Sequence, residues 1–559
     1  MNRFLNALTL VSGFVSLAAL SVLIVEIAFV LTETTRQLFS QLYWIIILFF
    51  CIDIVLRFAI SQKRKRVFFA RIMDYALILP LVKWLIPNGV GVSMYTIVQL
   101  SLIAVIMGRL SHINVLFKKL RFNPAQLFIS GFVLSIFIGA LLLSLPQSRV
   151  SADSFGFIDA LFTATSAICV TGLTTLDINT HFSGLGQAVI LILIQLGGLG
   201  IMTFYAMISL VLNRKLSQEE RLEYQTSYQA KSSAGTFGLI RNIFIMTFLF
   251  EIAGALLFLF LWRDRFSSMW ETVYYAVFHS VSAFCNAGFS LFPDSLSVFV
   301  NEPVVLLIFS GLIILGGIGF PVIMNITRVF FERDKVRFFS LQTKLTLAVT
   351  SVLLILGTLL ILISEYDNSL AEFSWMHRSV LAFFHSVSAR TAGFTSLSLT
   401  GFNSATVWAL ITLMFIGASP GSTGGGIKTT TFGVLLLSFW STIRGRFRIL
   451  VFGRTINLKN IFKALSITTL SILIIGVFFY LILMSESQVV FPLLFEVVSA
   501  FATVGFSLEL TPRLSESGKL LLCVLMLLGR VGPLTVAFAL SRKRKQGNYS
   551  FPEEKILLG

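Results

Sequence analysis

The chain has 559 residues, of which 56% are hydrophobic and only 12% are charged, and its mean hydropathy is +0.89. Soluble proteins carry about 25% charged residues, so this composition excludes a large soluble protein. The net charge of +17 does not indicate a nucleic-acid partner, because the Lys and Arg residues lie in short connectors between apolar runs. That distribution is typical of the cytoplasmic loops of a multi-pass membrane protein, and it predicts that both termini are cytoplasmic.

Residues 1–120 are predicted to form an N-terminal membrane region of about four helices. Asp53, Arg57 and Asp74 give it a loose similarity to a voltage-sensor domain. The fourth apolar segment has Arg109 but no Arg at every third position, so we expect a packing or docking region without voltage sensing. The four predicted spans are Ala7–Leu31, Leu42–Ile60, Ile72–Ile86 and Met94–Leu110.

The rest of the chain is a fourfold repeat followed by a short tail at residues 546–559. Each repeat has a long apolar span, a shorter aromatic-rich segment that ends in Ser-Ala, a glycine soon after, and a second long span. The glycines are Gly172, Gly288, Gly393 and Gly505, about 110 residues apart, and the third repeat has one residue fewer between Ser-Ala and glycine. The repeats divide the chain at residues 121–230, 231–335, 336–450 and 451–545.

The short segment of each repeat is too short to cross a bilayer as a helix. A helix that enters the membrane, turns at the glycine and returns explains its length. Non-helical backbone is tolerated at that depth only where it is buried in protein or lines water. The pattern therefore predicts four re-entrant loops around one aqueous axis, from the segments Ile158–Ile168, Thr272–Phe284, Ser379–Ala389 and Leu493–Phe501.

The residues at these four turns suit the recognition of a cation by backbone carbonyl groups. Rings of carbonyl oxygens can replace the hydration shell of potassium, glycine allows the backbone angles that this needs, and the C-terminal end of a short helix favours positive charge. Thr503-Val-Gly-Phe506 closely resembles the Thr-Val-Gly-Tyr core of potassium-channel filters. The predicted filter residues are Val170, Thr171 and Gly172; Asn286, Ala287 and Gly288; Thr391, Ala392 and Gly393; and Thr503, Val504 and Gly505.

Two further features lie in apolar spans of the last two repeats. The glycine-rich segment Ile416–Thr430 interrupts the second span of the third repeat. It is not a nucleotide-binding P-loop, because Ile427 separates Gly426 from Lys428 and breaks the required frame. Arg530 is a charge within the final apolar span, where it is expected to face a cavity or a partner.

On these residues, from about Phe122 to Lys545, the chain resembles the Trk/Ktr/HKT superfamily of potassium transporters, and in particular the membrane subunit of bacterial Ktr and Trk systems. The resemblance implies an all-α membrane protein with four pseudo-symmetric M1-P-M2 pore units around one ion pathway, preceded here by the extra helices. It also implies an intramembrane gating loop and makes Arg530 a positive barrier beside it. The gating residues are Gly417, Ser419, Gly421, Ser422, Thr423, Gly424, Gly425, Gly426 and Lys428.

The same resemblance implies potassium uptake across the cytoplasmic membrane, with no enzymatic activity and no organic cofactor on this chain. It implies a homodimer above a cytosolic ring of RCK-type nucleotide-binding subunits, with the basic segments Arg214–Lys231 and Arg444–Arg454 as the docking face. Two alternatives stay open. One is a sodium-coupled or poorly selective potassium/sodium transporter, and the other is a membrane receptor or scaffold without transport.

Overall fold

The computed structural model describes residues 33–60, 124–151, 155–200, 233–331, 338–446, 448–487 and 489–540, with a few isolated residues before 33 and at 98 and 101. The predicted span Leu42–Ile60 lies in a helix, Glu33–Ile60, in which Asp53 is buried. Apart from those isolated residues, the structure does not describe the other three N-terminal spans. The side chain of Arg57, the basic segment Arg214–Lys231 and the tail also lie outside the described residues.

The first two repeats each form an outer helix, a short pore helix and an inner helix. In unit 1 these are Pro124–Leu143, Phe157–Cys169 and Gly184–Leu199, with a short helix at Ile178–His181 before the last. In unit 2 they are Ser233–Leu261, Met269–Phe284 and Pro303–Ile318, and the helix Phe320–Phe331 continues the inner helix after a bend.

The last two repeats also form an outer helix, a pore helix and an inner helix, and in each the inner helix is divided into two parts. In unit 3 the helices are Leu341–Ser364, Trp375–Ser388, Ser404–Phe415 and Thr429–Ile443. In unit 4 they are Leu458–Ser485, Val490–Ala502, Glu516–Val531 and Pro533–Leu540. A hairpin of two short antiparallel strands, Leu450–Val451 and Arg454–Thr455, joins units 3 and 4. Single-turn 3-10 helices lie at Pro146–Ser148, Ser297–Phe299, Leu399–Gly401 and Thr511–Arg513.

The outer helices of units 2, 3 and 4 are long and apolar enough to cross a membrane, in the segments Ile240–Leu261, Leu341–Ser364 and Leu458–Ser485. Two bent inner-helix pairs bring the number of such spans among the described residues to five. In the last outer helix, Leu458–Ser485, only 11% of the most apolar stretch of 18 residues is buried within the protein. Its apolar side chains therefore face outward, as expected against lipid.

The pore helices occupy the centre, and the packing between units is cyclic. Each pore helix packs against the outer helix of its own unit. The inner helix of unit 1 also packs against the pore helix of unit 2, that of unit 2 against unit 3, that of unit 3 against unit 4, and that of unit 4 against unit 1. The four units therefore close around one axis in chain order.

The inner helices of units 1, 2 and 4 end or bend at glycines, which the apolar pattern alone did not indicate. Gly200, Gly319 and Gly532 have positive φ angles of 79°, 96° and 88°, a conformation that glycine adopts without strain. The chain bends by 95° at Gly319 and by 94° at Gly532. The final apolar span that was predicted to hold Arg530 is therefore a bent pair of helices, and Arg530 lies at the end of the first helix, directly before the bend.

Candidate functional site: the ring of glycine loops and the segment beneath it

The four predicted filter loops meet in a closed ring. A Cβ atom on Gly172 would overlap the carbonyl oxygen of Ala287, and one on Gly288 would overlap that of Ala392. In the same way, Gly393 abuts the carbonyl oxygen of Val504, and Gly505 abuts that of Thr171. Each glycine thus lies against the carbonyl group that precedes the glycine of the next unit, and unit 4 returns to unit 1.

The chain leaves each pore helix through a sharp turn that directs it into this ring. Val170, Asn286 and Thr503 adopt left-handed backbone conformations, with φ angles of 56°, 60° and 52°. The four glycines also have positive φ angles, between 73° and 97°. The shorter third loop reaches the ring without a left-handed residue before Gly393. In loops 1, 2 and 4 the first of the three predicted filter residues is therefore the turn residue, and the other two belong to the ring.

The serine of each Ser-Ala pair holds its loop in place by a hydrogen bond. The sequence showed that these serines recur in every repeat but did not indicate this role. Ser166 and Ser499 accept hydrogen bonds from the N–H groups of Gly172 and Gly505, at 3.0 and 3.1 Å. In the other two loops the hydroxyl donates instead. Ser282 donates to the carbonyl of Phe289 and Ser388 to that of Phe394, both at 2.7 Å. All four serines are fully buried.

Asn286 connects two neighbouring loops behind the ring. In the amide orientation that satisfies its neighbours, its oxygen accepts from the Thr391 hydroxyl at 2.7 Å. Its nitrogen donates to the carbonyl groups of Ala283 and Ile313. These partners use both the oxygen and the nitrogen of the Asn286 amide. Asn286 therefore stabilises the packing of loops 2 and 3, which differ most from a potassium-channel filter.

A cavity of about 500 Å³ opens on one side of the ring. All four filter glycines line it, together with Ser290, Thr395 and Ser507 from the segments that follow them. Asp177, Asp294 and Glu509 also line the cavity, as does Arg513. Because the carboxylates outnumber the guanidinium group, this cavity carries an excess of negative charge beside the carbonyl ring.

The segment Ile416–Thr430 lies directly on the other side of the ring. A Cβ atom on Gly425 would overlap the hydroxyl of Thr503, and one on Gly424 would lie 2.6 Å from the methyl group of Thr391. These two glycines therefore allow the segment to touch the filter loops of units 3 and 4.

Backbone hydrogen bonds hold this segment against the bent inner helix of unit 2. Ser419 and Thr423 donate their N–H groups to the carbonyls of Gly317 and Gly316, at 3.0 and 3.3 Å, and Gly421 accepts from the N–H of Phe320 at 3.0 Å. The bend at Gly319 leaves these backbone groups without partners in their own helix, and the segment supplies the hydrogen-bond partners that they lack. Within the segment, Lys428 donates to the carbonyl of Gly424 at 2.7 Å, Ser419 bonds Thr429, and Gly421 and Gly426 have positive φ angles.

Two arginines attach the segment to its surroundings. The guanidinium group of Arg530 donates to the carbonyl oxygens of Thr423 in the segment and of Gly197 in the inner helix of unit 1. Arg390, in the third filter loop, donates to the carbonyl of Gly417 at 3.1 Å. The sequence-based reading did not single out Arg390, although it is a charged residue next to a filter position and nearly fully buried. Arg530 therefore joins units 1, 3 and 4 below the ring.

A family profile described as "TrkH: Cation transport protein" matches residues 118–551. The chain belongs to this family of cation transport proteins. It is 38% identical over 445 residues to the Ktr system potassium uptake protein B of Bacillus subtilis, a match that covers 79% of this chain and 98% of that protein. It is equally identical to the potassium/sodium uptake protein NtpJ of Enterococcus hirae, over 78% of this chain and 98% of that one.

The solved structure of the potassium transporter TrkH from Vibrio parahaemolyticus superposes on the chain with a TM-score of 0.58 at 20% identity. The superposition covers 85% of this chain and 96% of that one. The predictions of a helical membrane fold, of the Trk/Ktr family and of a transporter rather than an enzyme are confirmed. The protein is therefore a multi-pass membrane transporter of cations.

Proposed function

We propose that the protein takes up potassium through the ring of glycine loops, which acts as its selectivity filter. The cyclic contact between each filter glycine and the next unit's carbonyl group carries this proposal. Carbonyl oxygens held in such a ring can replace the water that potassium loses on entry. The relatives from Bacillus subtilis and Vibrio alginolyticus are both named potassium uptake proteins, which supports potassium as the cargo.

The filter needs no ionised ligand in this arrangement. The four pore helices end at the ring, and the C-terminal end of each helix carries roughly half a negative elementary charge. The carboxylates of the outer cavity, Asp177, Asp294 and Glu509, raise the local cation concentration before the ring. Uptake would then run from this cavity through the ring and past the segment Ile416–Thr430.

That segment and Arg530 form the proposed gate. The segment closes the path directly beneath the filter, and Arg530 adds a positive charge that opposes a cation at this depth. Opening requires the segment to release the carbonyls of Gly316 and Gly317 and the guanidinium of Arg530. Because a hydrogen bond contributes a net of only about 1 kcal/mol, or about 1.5–3 kcal/mol when one partner is charged, a regulatory protein could supply the free energy that opens the gate.

The proposal extends to the assembly. The protein would act as a homodimer in the cytoplasmic membrane with both termini in the cytosol, gated by a cytosolic ring of RCK-type nucleotide-binding subunits. The multi-component naming of the Ktr relatives supports a partner subunit. The exposed basic residues Arg444, Arg446 and Arg454 beside the unit 3–4 hairpin support its docking there.

A second candidate is a transporter that carries or couples sodium as well as potassium. The Enterococcus hirae relative, named a potassium/sodium uptake protein, supports it. The side chains that support loops 2 and 3 also differ from those of loops 1 and 4, as the Asn286–Thr391 contact illustrates. Unequal support of the four loops would weaken discrimination between the two ions.

The test is growth of a cell that lacks potassium uptake, followed by ion flux in liposomes. The chain, expressed with a cognate cytosolic subunit, should restore growth at low potassium, and purified protein should carry rubidium or potassium down a gradient. Varying sodium separates the two candidates, because only a coupled carrier gains potassium flux from a sodium gradient. Normal membrane amounts without growth or flux would overturn the proposal and favour a receptor or scaffold.

A further inference from the structure

The residue three positions before the serine of each Ser-Ala pair lies at the same place on all four pore helices. It is Thr163, His279, His385 and Glu496 in units 1 to 4. All four are buried, yet their chemistry differs from unit to unit. Buried ionisable groups in a membrane protein are costly, so two imidazoles and a carboxyl group at one repeated position call for a specific use.

In unit 4 the carboxylate of Glu496 holds the chain just beyond the filter. One oxygen accepts from the Ser507 hydroxyl at 2.5 Å and from the N–H of Leu508 at 3.1 Å. The other oxygen accepts from the Thr511 hydroxyl at 2.6 Å. Leu508 follows the filter glycine Gly505 by three residues, and Ser507 lines the outer cavity.

In unit 2 the ring of His279 makes the matching contacts. Its Nδ1 lies 2.8 Å from the carbonyl oxygen of Tyr275, so Nδ1 carries the proton and Nε2 is an acceptor. Nε2 accepts from the N–H of Leu291 at 3.2 Å and lies 3.1 Å from the hydroxyl of Ser290. Leu291 and Ser290 correspond in the repeat to Leu508 and Ser507 of unit 4, and Ser290 also lines the outer cavity.

We propose that Glu496 and His279 are positioning residues for cation selectivity, which fix the outer ends of filter loops 4 and 2 by the same hydrogen bond. Each accepts the N–H three residues beyond the filter glycine and holds the cavity-lining serine beside it. Units 2 and 4 face each other across the ring, so His279 and Glu496 restrain filter loops on opposite sides of it. A binding constellation must be held within about 0.5 Å to discriminate, and these contacts supply that restraint.

This inference rests on the proposed potassium uptake and is tested by pairs of variants that keep or remove the acceptor. Glu496→Gln keeps an oxygen for Ser507 and Leu508, whereas Glu496→Met has a similar length and no strong acceptor. His279→Gln and His279→Leu form the second pair. Thr163→Val is the matched control at the repeated position in unit 1, because the Thr163 hydroxyl has no hydrogen-bond partner in the described part of the chain.

Potassium and sodium flux are measured in liposomes at equal amounts of reconstituted protein. Glu496→Met and His279→Leu should each lower the potassium-to-sodium flux ratio about tenfold, while both glutamine variants stay within about twofold of wild type. Thr163→Val should match wild type. Should Glu496→Met fail to reach the membrane, the comparison of His279→Leu with His279→Gln decides.

Three outcomes would overturn the inference: a wild-type ratio in the variants without an acceptor, the same loss in the glutamine variants, or the same loss in Thr163→Val. The wild-type protein separates this inference from the proposed function. If it carries no potassium, the proposed function fails; if it is selective and the variants do not change the ratio, only the positioning role fails.

Discussion

The four ring glycines, which we propose form the filter, are constrained both by their backbone conformation and by their neighbours. Gly505 has a φ angle of 97°, which costs an L-residue roughly 1–2 kcal/mol even in open space. Its missing side chain also leaves room for the carbonyl of Thr171. Any side chain here therefore displaces a carbonyl group of the neighbouring loop, and the disturbance passes directly into the ring.

Gly505→Ser should consequently damage selectivity, and it should do so more than the same change at Gly288 in the less filter-like second loop. We expect the potassium-to-sodium flux ratio to fall by about tenfold or more, since a displaced carbonyl no longer replaces hydration water. Liposome flux with each ion measures the ratio. Gly476→Ser is the control, because Gly476 lies in an outer helix with open space around it. Equal ratios for Gly505→Ser and the control would contradict the prediction.

At the scale of the element, the segment Ile416–Thr430 bonds the inner helix of unit 2 through its middle residues, Ser419 to Thr423. Deleting Ser419 to Gly424 removes its bonds to Gly316 and Gly317 and its contact with Thr391. We expect higher ion flux, because the deletion opens the path beneath the filter while the ring contacts between units remain. Flux per molecule at matched membrane amounts is the measurement. Unchanged or reduced flux from correctly inserted protein would count against a gate.

Arg530 provides a subtler test of the same element. Arg530→Ala removes a positive charge and the two bonds to Thr423 and Gly197, so conduction should become faster or gating looser, by a factor of about three to ten. Single-turnover or steady flux with and without the cytosolic subunit measures both effects. Lys519→Ala is the matched control on the same helix, since Lys519 pairs with Asp159 at the other end. Wild-type rate and gating in Arg530→Ala would remove this role.

The elements differ in how far the sequence could predict them. Pore helices were predicted within a few residues, because their length, aromatic content and Ser-Ala ending recur four times. The bend at Gly319 was not, because an apolar helix and a broken one have the same hydropathy. Only the Leu-Gly-Gly-Ile-Gly sequence at 315–319 marked it, and the similar Leu-Gly-Gly-Leu-Gly stands at 196–200. The roles of Ser166 and His279 depend on how the chain turns after each pore helix, and that of Arg390 on Gly417, 27 residues away; hydropathy and residue spacing specify none of these contacts.

The whole molecule is organised as a ring whose closure lies within residues 124–540. Each inner helix packs against the next pore helix, and unit 4 returns to unit 1, so the described helices of the four units close the ring among themselves. The family match begins at residue 118, and relatives of which 98% is matched correspond to only 79% of this chain. Residues 1–117 therefore lie outside the part of the chain that matches the family profile.

Removing residues 1–115 should leave potassium flux and its voltage dependence close to those of the full chain. The physical reason is that the filter, the outer cavity and the segment Ile416–Thr430 make all their described contacts among units 1 to 4. The measurement is flux in liposomes at clamped membrane potentials, with full-length protein as the control. The predicted fourth span of this region has one arginine, Arg109, and the field acts on one elementary charge with only about 2.3 kcal/mol per 100 mV. Steep voltage dependence that disappears with the truncation would show instead that this region senses voltage and controls the ring.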